Sequence, residues 1–190
     1  MAKAKLNPIL EGIRGQVGDL VFKRYGDEVV ISRKADPTGK PPSEAQLAHR
    51  ERFREAALYG KLVMADPERK ALYEEAAAAK GKPVFSLTLA DFFNAPSVDE
   101  VDLSGYAGRV GDVIAIRAHD DFDVAEVRVA LTDAGGAALE SGAAAETPAG
   151  SGRWAYTATT AVPAGTDVHI AVQATDMPGG VSAQEVEKTV

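Results

Sequence analysis

Three imidazoles, an excess of carboxylates and a complete lack of cysteine bound the chemistry open to this 190-residue chain. Without cysteine there are no disulfides, thiolate metal sites or thiol nucleophiles. His49 falls on an expected helix, and His119 and His169 on two well-separated expected strands, so no pair has the spacing of a metal site. No serine occupies a Gly-x-Ser-x-Gly turn, the setting in which a hydroxyl is held beside a base. Gly12, Gly15 and Gly18 are spaced three apart but lack the following Gly-Lys-Ser/Thr of a phosphate loop. The chain therefore reads as a non-enzyme with no cofactor.

The carboxylates offer one further chemistry. Asp120, Asp121, Asp123 and Asp176 could meet at one end of a β-domain and hold calcium, which takes six to eight hard oxygen ligands. Their spacing lacks the alternating acid and glycine of a dedicated calcium loop. Aspartate also favours turns for its own sake, by bonding to nearby backbone amides. Solvated corner acids and calcium ligands stand here as alternatives.

A third group is basic. Lys23, Arg24, Arg33, Lys34, Lys40, Arg50, Arg52 and Arg54 could present phosphate contacts from a hairpin and a helix. Glu44, Glu51 and Glu55 interrupt that helix, and Glu51 lies three residues before Arg54, an intrahelical pairing distance. Charge is divided unevenly along the chain. Residues 1–95 carry 16 Lys+Arg against 13 Asp+Glu, a net of +3, whereas residues 96–190 carry 5 against 15, a net of −10. Such asymmetry suits distinct partners, or attraction between neighbouring copies. Phe22, Tyr25, Phe92 and Phe93 add aromatic anchors that serve either a partner or a small core. The interaction candidates are Phe22, Lys23, Arg24, Tyr25, Arg33, Lys34, Arg50 and Arg54.

The elements that must position these groups divide at residue 96. Residues 1–18, with Asn7-Pro8 and the repeated glycines, read as an extended arm with turns. Leu20–Tyr25 and Glu28–Arg33 flank Gly26-Asp27 as a basic β-hairpin, and Asp36 to Pro42 breaks the chain with three prolines. Ser43-Glu44-Ala45-Gln46 is a capping box opening a helix to about Met64. Its apolar stripe runs through Phe53, Ala57, Gly60 and Met64, with Leu47, Leu58 and Leu62 alongside. Asp66-Pro67-Glu68 opens a second helix that ends near Lys80 with Gly81 beyond it, and the short connection makes the two an antiparallel hairpin. A third helix covers Leu87–Phe93.

From Val98 onward the pattern is β. Val113, Ala115 and Arg117 share one face and Ile114, Ile116 and Ala118 the other; Val127, Val129 and Leu131 alternate with Glu126, Arg128 and Ala130. Seven strands are expected, over 100–103, 112–118, 124–132, 138–144, 153–159, 167–175 and 182–190. Gly- and Pro-containing turns separate several of them, as in Asp133-Ala134-Gly135-Gly136 and Pro178-Gly179-Gly180. The run from Asp120 to Val129, the single Trp154 in Arg153-Trp154-Ala155-Tyr156, and Val172 to Gly180 resemble a bacterial immunoglobulin-like or fibronectin type III-like domain. That resemblance covers about half the chain and implies a fold, on which many functions are built. Gln46, Arg50 and Phe53, after a Gly-rich start and basic hairpin, resemble uncharacterised bacterial proteins, from which no activity transfers.

The expected architecture is an α+β module over 1–96, a β-hairpin plus helical hairpin, followed by an immunoglobulin-like β-sandwich over 97–190. Its expected function is a non-catalytic structural or interaction protein that forms a homo-oligomer or binds a protein partner. The alternative is a nucleic-acid-associated protein acting through the hairpin and first helix. The start lacks the apolar stretch of a signal peptide and no run approaches the roughly 20 residues of a membrane span, so the expectation is a soluble, cytoplasmic protein without a membrane partner.

Overall fold

A computed structural model describes residues 2–4, 13–25, 28–35, 39 and 41–190, of which 2–4 by backbone alone. The hairpin turn at Gly26-Asp27, the Asn7-Pro8 break, Gly12 and Lys40 lie outside the described residues. Two compact units result, Met1–Leu47 and Ala48–Val190.

The first unit contains β1 (Ala2–Ala4), β2 (Gly15–Val17), β3 (Leu20–Tyr25) and β4 (Glu28–Arg33). They form one antiparallel sheet in the order β1-β4-β3-β2. The expected arm is thus partly strand, and the expected two-stranded ribbon has four. A Gly18-Asp19 turn folds β2 back on β3, with Gly18 at φ 58°, a left-handed conformation that glycine adopts without steric cost. β1 meanwhile pairs with the other edge, at β4. Both edges of the hairpin thereby gain ladder partners that an isolated ribbon lacks.

Helix α1 (Glu44–Ala65) starts where the capping box places it: Gln46 N–H donates to Ser43 Oγ at 3.3 Å, and Ser43 N–H to Gln46 Oε1 at 3.1 Å. Helix α2 (Pro67–Lys80) is capped by Asp66 Oδ1, which accepts from Glu68 N and Arg69 N, and closes on Gly81 at φ 61°. Helix α3 (Val84–Phe93) begins three residues before the expected start, with Pro83 at its N-cap position.

Within the second unit these helices bury Val63, Tyr73, Ala77 and Leu87 together. The buried positions of α1 are Ala56, Gly60 and Val63. That is a correction to the expected stripe, of which only Gly60 is buried while Phe53 and Met64 stay exposed. Close approach explains it. A Cβ added at Gly60 would stand 2.7 Å from Thr88 Oγ1 and 2.8 Å from Phe85 Cε2, so α3 packs against the small residues of α1.

Eight strands follow. β5 (Ser97–Asp102), β6 (Val113–His119), β9 (Ala145–Glu146) and β10 (Arg153–Thr157) form one antiparallel sheet in the order β5-β6-β10-β9. β7 (Val124–Asp133), β8 (Ala138–Ala143), β11 (Asp167–Asp176) and β12 (Val181–Thr189) form the other, in the order β12-β11-β7-β8. This is the strand order of an immunoglobulin-like sandwich with one strand added to its C-F-G sheet.

Alternation fills the space between the sheets. β6 contributes Ile114, Ile116 and Ala118, β7 contributes Val127, Val129 and Leu131, and β11 contributes Val168, Ile170, Val172 and Ala174 to one buried cluster. Each fully buried aliphatic side chain of this kind stabilises by about 2 kcal/mol. Trp154 and Tyr156 on β10 sit opposite Ile116 and Ile114 and complete the same layer. At its rim the half-unpaired Glu140 of β8 is held through Oε2, which accepts from Thr159 N at 2.8 Å and Thr160 N at 3.0 Å.

The expected boundary at 96/97 runs through contacts of the second unit. Lys80 Nζ donates to the Asp121 carbonyl, Asn94 Nδ2 donates to Asp121 Oδ2, and Tyr73 stacks on Phe122. The acidic corner between β6 and β7 is where the helices meet the sandwich.

Candidate functional site

At that corner three carboxylates converge. Asp120 directly follows β6, Asp176 is the last residue of β11, and Asp91 lies near the end of α3. One oxygen from each lies within 4.8 Å of the others. Asp91 is 0% exposed and Asp176 4% exposed, while Asp120 is half-buried.

Each carboxylate is held by one oxygen. Tyr73 Oη donates to Asp91 Oδ2, and because that uses the only Tyr73 proton, Tyr59 Oη must donate to Tyr73 at 2.8 Å. Asp176 Oδ1 accepts from Gly179 N at 2.8 Å and Gly180 N at 2.5 Å. Asp120 Oδ2 accepts from Phe122 N at 3.1 Å. Gly180 is needed for this approach, since a Cβ there would stand 2.4 Å from Asp176 Oδ2.

Such crowding has an electrostatic cost. Unit charges no farther apart than this repel by about 3 kcal/mol or more per pair at an effective dielectric constant of about 20. Burial pushes Asp91 up to about 8, partly offset by the Tyr73 hydrogen bond, while a proton shared with the Asp120 carboxylate and the charges of Asp120 and Asp176 add to the rise. Burial also raises Asp176, against the lowering effect of the Gly180 and Gly179 amides. Tyr73 is pushed upward by burial and then by its bond to Asp91. Three acids in this arrangement need either protons or a counter-cation.

Of the four acids expected from the sequence, the fold brings Asp120 and Asp176 into this cluster and leaves Asp121 and Asp123 out of it. Asp121 faces the helices through Lys80 and Asn94. Asp123 has a carboxyl raised by burial and by the neighbouring Glu146. The residue that sequence reasoning missed is Asp91. Its signal was present: it is the one charged residue of the helix Val-Phe-Ser-Leu-Thr-Leu-Ala-Asp-Phe-Phe, and an acid inside an apolar run is informative because acids are rarely buried unpaired.

The other candidates are dispersed. His119 Nδ1 lies 2.7 Å from Asp99 Oδ2, His169 Nδ1 lies 3.0 Å from Glu187 Oε1, and the His49 ring lies 5.8 Å from that of Phe93. Directly opposed residues of an antiparallel pair share a face. The register Phe22↔Ile31, Lys23↔Val30 and Leu20↔Arg33 therefore sets Phe22, Arg24 and Arg33 on one face and Lys23 and Tyr25 on the other. Lys34 lies just past β4, where its N–H donates to the Asp19 carbonyl at 2.7 Å. On α1, Arg54 pairs with Glu51, Arg52 donates to the Phe93 carbonyl at 3.1 Å and lies over the Phe93 ring, and Arg50 is exposed. Among the described residues no helix is long and apolar enough to cross a membrane.

No protein-family model matches this chain, and no curated protein matches its sequence. Among solved structures, CopC from Methylosinus trichosporium OB3b is similar over 50% of this chain and 92% of its own, with 13% identity and a TM-score of 0.38. A likeness at that level carries no functional argument.

Proposed function

We propose that this chain is a non-catalytic structural or interaction protein that associates with further copies of itself through the outer face of α1. One observation carries the reading: α1 turns small residues inward and leaves two leucines, one turn apart, in water on its opposite side. Ala56, Gly60 and Val63 are buried, whereas Leu58 and Leu62 are 60% and 59% exposed; Phe53 lies on the inward flank, stacked on Phe93. Large apolar side chains left in water along one helix are the usual mark of a protein-binding face. The charge division supports a second copy as the occupant, because residues 1–95 carry a net of +3 and residues 96–190 a net of −10, so unlike segments of two copies attract. The three imidazoles support the non-catalytic part, since His119 and His169 each pair with a local carboxylate and His49 lies beside an aromatic ring.

The test is the molar mass of the full chain by size-exclusion chromatography with light scattering. The expected result is a defined oligomer that Leu58→Glu combined with Leu62→Glu reduces to a folded monomer. A monomeric wild-type chain, or an oligomer indifferent to both substitutions, overturns the reading. Nucleic acid is a separate outcome, read from the absorbance ratio of the same peak. The division of Lys23 from Arg24 and Arg33 across two sheet faces weighs against it.

A further inference from the structure

We infer that Asp91, Asp120 and Asp176 form a binding site for a calcium-class divalent cation that clamps α3 to the sandwich. Clustered acids alone would not support this. What does so is the state of their second oxygens. With the acids ionised, Asp91 Oδ1 and Asp176 Oδ2 are buried and accept no hydrogen bond, although both side chains are held firmly through their other oxygen. A buried carboxylate oxygen without a donor is costly, and native structures seldom leave one so. Both belong to a group of three acids, each of which brings one oxygen within 4.8 Å of the others, so the group is rich in acceptors and short of donors.

The donor chemistry selects the ion class. All three ligands are hard oxygens, which suit calcium, magnesium or manganese rather than a soft metal. Calcium bonds to oxygen at about 2.3–2.6 Å, so opposed ligands stand about 5 Å apart, whereas magnesium at about 2.0–2.1 Å needs them nearer 4 Å. Separations of no more than 4.8 Å admit either ion, and three acids drawn from separate elements suit the flexible shell of calcium better than the near-ideal octahedron that magnesium demands. Waters would supply the remaining ligands of a six- to eight-coordinate shell.

The arrangement also has a supporting layer. The Tyr59–Tyr73 hydroxyl relay fixes Asp91, the Gly179 and Gly180 amides fix Asp176, and the Phe122 amide fixes Asp120. Outer partners that orient ligating carboxylates are a regular feature of metal sites. Because the ligands come from a helix and from two strand ends, an ion here would tie the helical layer to both sheets of the sandwich. This inference is independent of self-association through α1, which uses none of these residues.

The experiment is thermal unfolding of the purified full chain in chelator, in millimolar calcium and in millimolar magnesium, with calorimetric titration of calcium chloride. Calcium at about 100 times its dissociation constant should raise Tm by about 5–10 °C, and magnesium by less. Asp91→Asn and, separately, the half-buried Asp120→Asn should abolish the calcium-dependent rise while remaining folded in chelator. Asp121→Asn and Asp123→Asn should retain it, which separates a specific site from screening of surface acids. Equal Tm values in chelator and calcium with no heat of binding would overturn the inference, leaving the acids to share protons. A rise that persists in both Asp91→Asn and Asp120→Asn would overturn it as well.

Discussion

The ring of Tyr73 lies on that of Phe122 with centroids 3.8 Å apart and planes 16° from parallel, while the Tyr73 hydroxyl donates to Asp91. One α2 side chain thus serves both the aromatic contact at the acidic corner and the acid on α3. The two roles can be separated. Tyr73→Phe keeps the stack but leaves Asp91 Oδ2 and the Tyr59 hydroxyl without their partner, at a cost of about 1–3 kcal/mol. Tyr73→Ala also empties a fully buried site and should cost about 3–5 kcal/mol. Urea unfolding in chelator measures both without any contribution from a bound cation. Equal losses for the two variants would show that the hydroxyl contact, and not the ring, carries the stabilisation.

The sandwich was legible because its signal is redundant. Ile114, Ile116 and Ala118 alternate with exposed neighbours, Val127, Val129 and Leu131 with less buried ones, and a period of two has one reading when a single face is buried. The helix caps at Ser43 and Asp66 were legible for a local reason, since capping chemistry involves residues only two or three apart. The inward face of α1 was not. Reading hydrophobicity by side-chain size selects Phe53 and Met64, but the partner helix approaches so closely that small Ala56 and Gly60 face it. Asp91 was missed because its two partners in the cluster lie 29 and 85 residues on, at the ends of β6 and β11, and only the tertiary fold brings them together.

The close approach at Gly60 gives the second prediction. Alanine is the better helix former by about 1 kcal/mol, so on propensity alone Gly60→Ala should stabilise. The added methyl would meet Thr88 Oγ1 at 2.7 Å, and Thr88 is itself fully buried and bonded to the Phe85 carbonyl at 2.9 Å. Overpacking of this kind costs about 1–3 kcal/mol, so the net expectation is a loss of up to about 2 kcal/mol. A double-mutant cycle with Thr88→Ala, which removes the hydroxyl in the way, should show a favourable coupling of at least about 0.5 kcal/mol. A stabilised Gly60→Ala single variant would mean that α1 and α3 part without penalty.

The third prediction concerns acid. Asp112, just before β6, accepts from Ala107 N at 2.7 Å and Arg109 N at 3.0 Å through one oxygen. The Arg109 amide first, then that of Ala107, holds its carboxyl below the usual range. A carboxylate whose folded pKa is depressed stabilises the fold above its unfolded pKa of about 3.9, and that contribution is lost as pH falls through the lower folded value. Asp112→Asn keeps the shape and an acceptor oxygen but cannot ionise. Its Tm should therefore fall below that of the wild type at pH 6, and the gap should begin to narrow near pH 4 and close at more acidic pH. Asp102, lowered chiefly by the Ser104 amide, remains in both proteins and cancels in the comparison. A gap that stays constant down to pH 2 would mean that the turn before β6 depends on the shape of the side chain rather than on its charge.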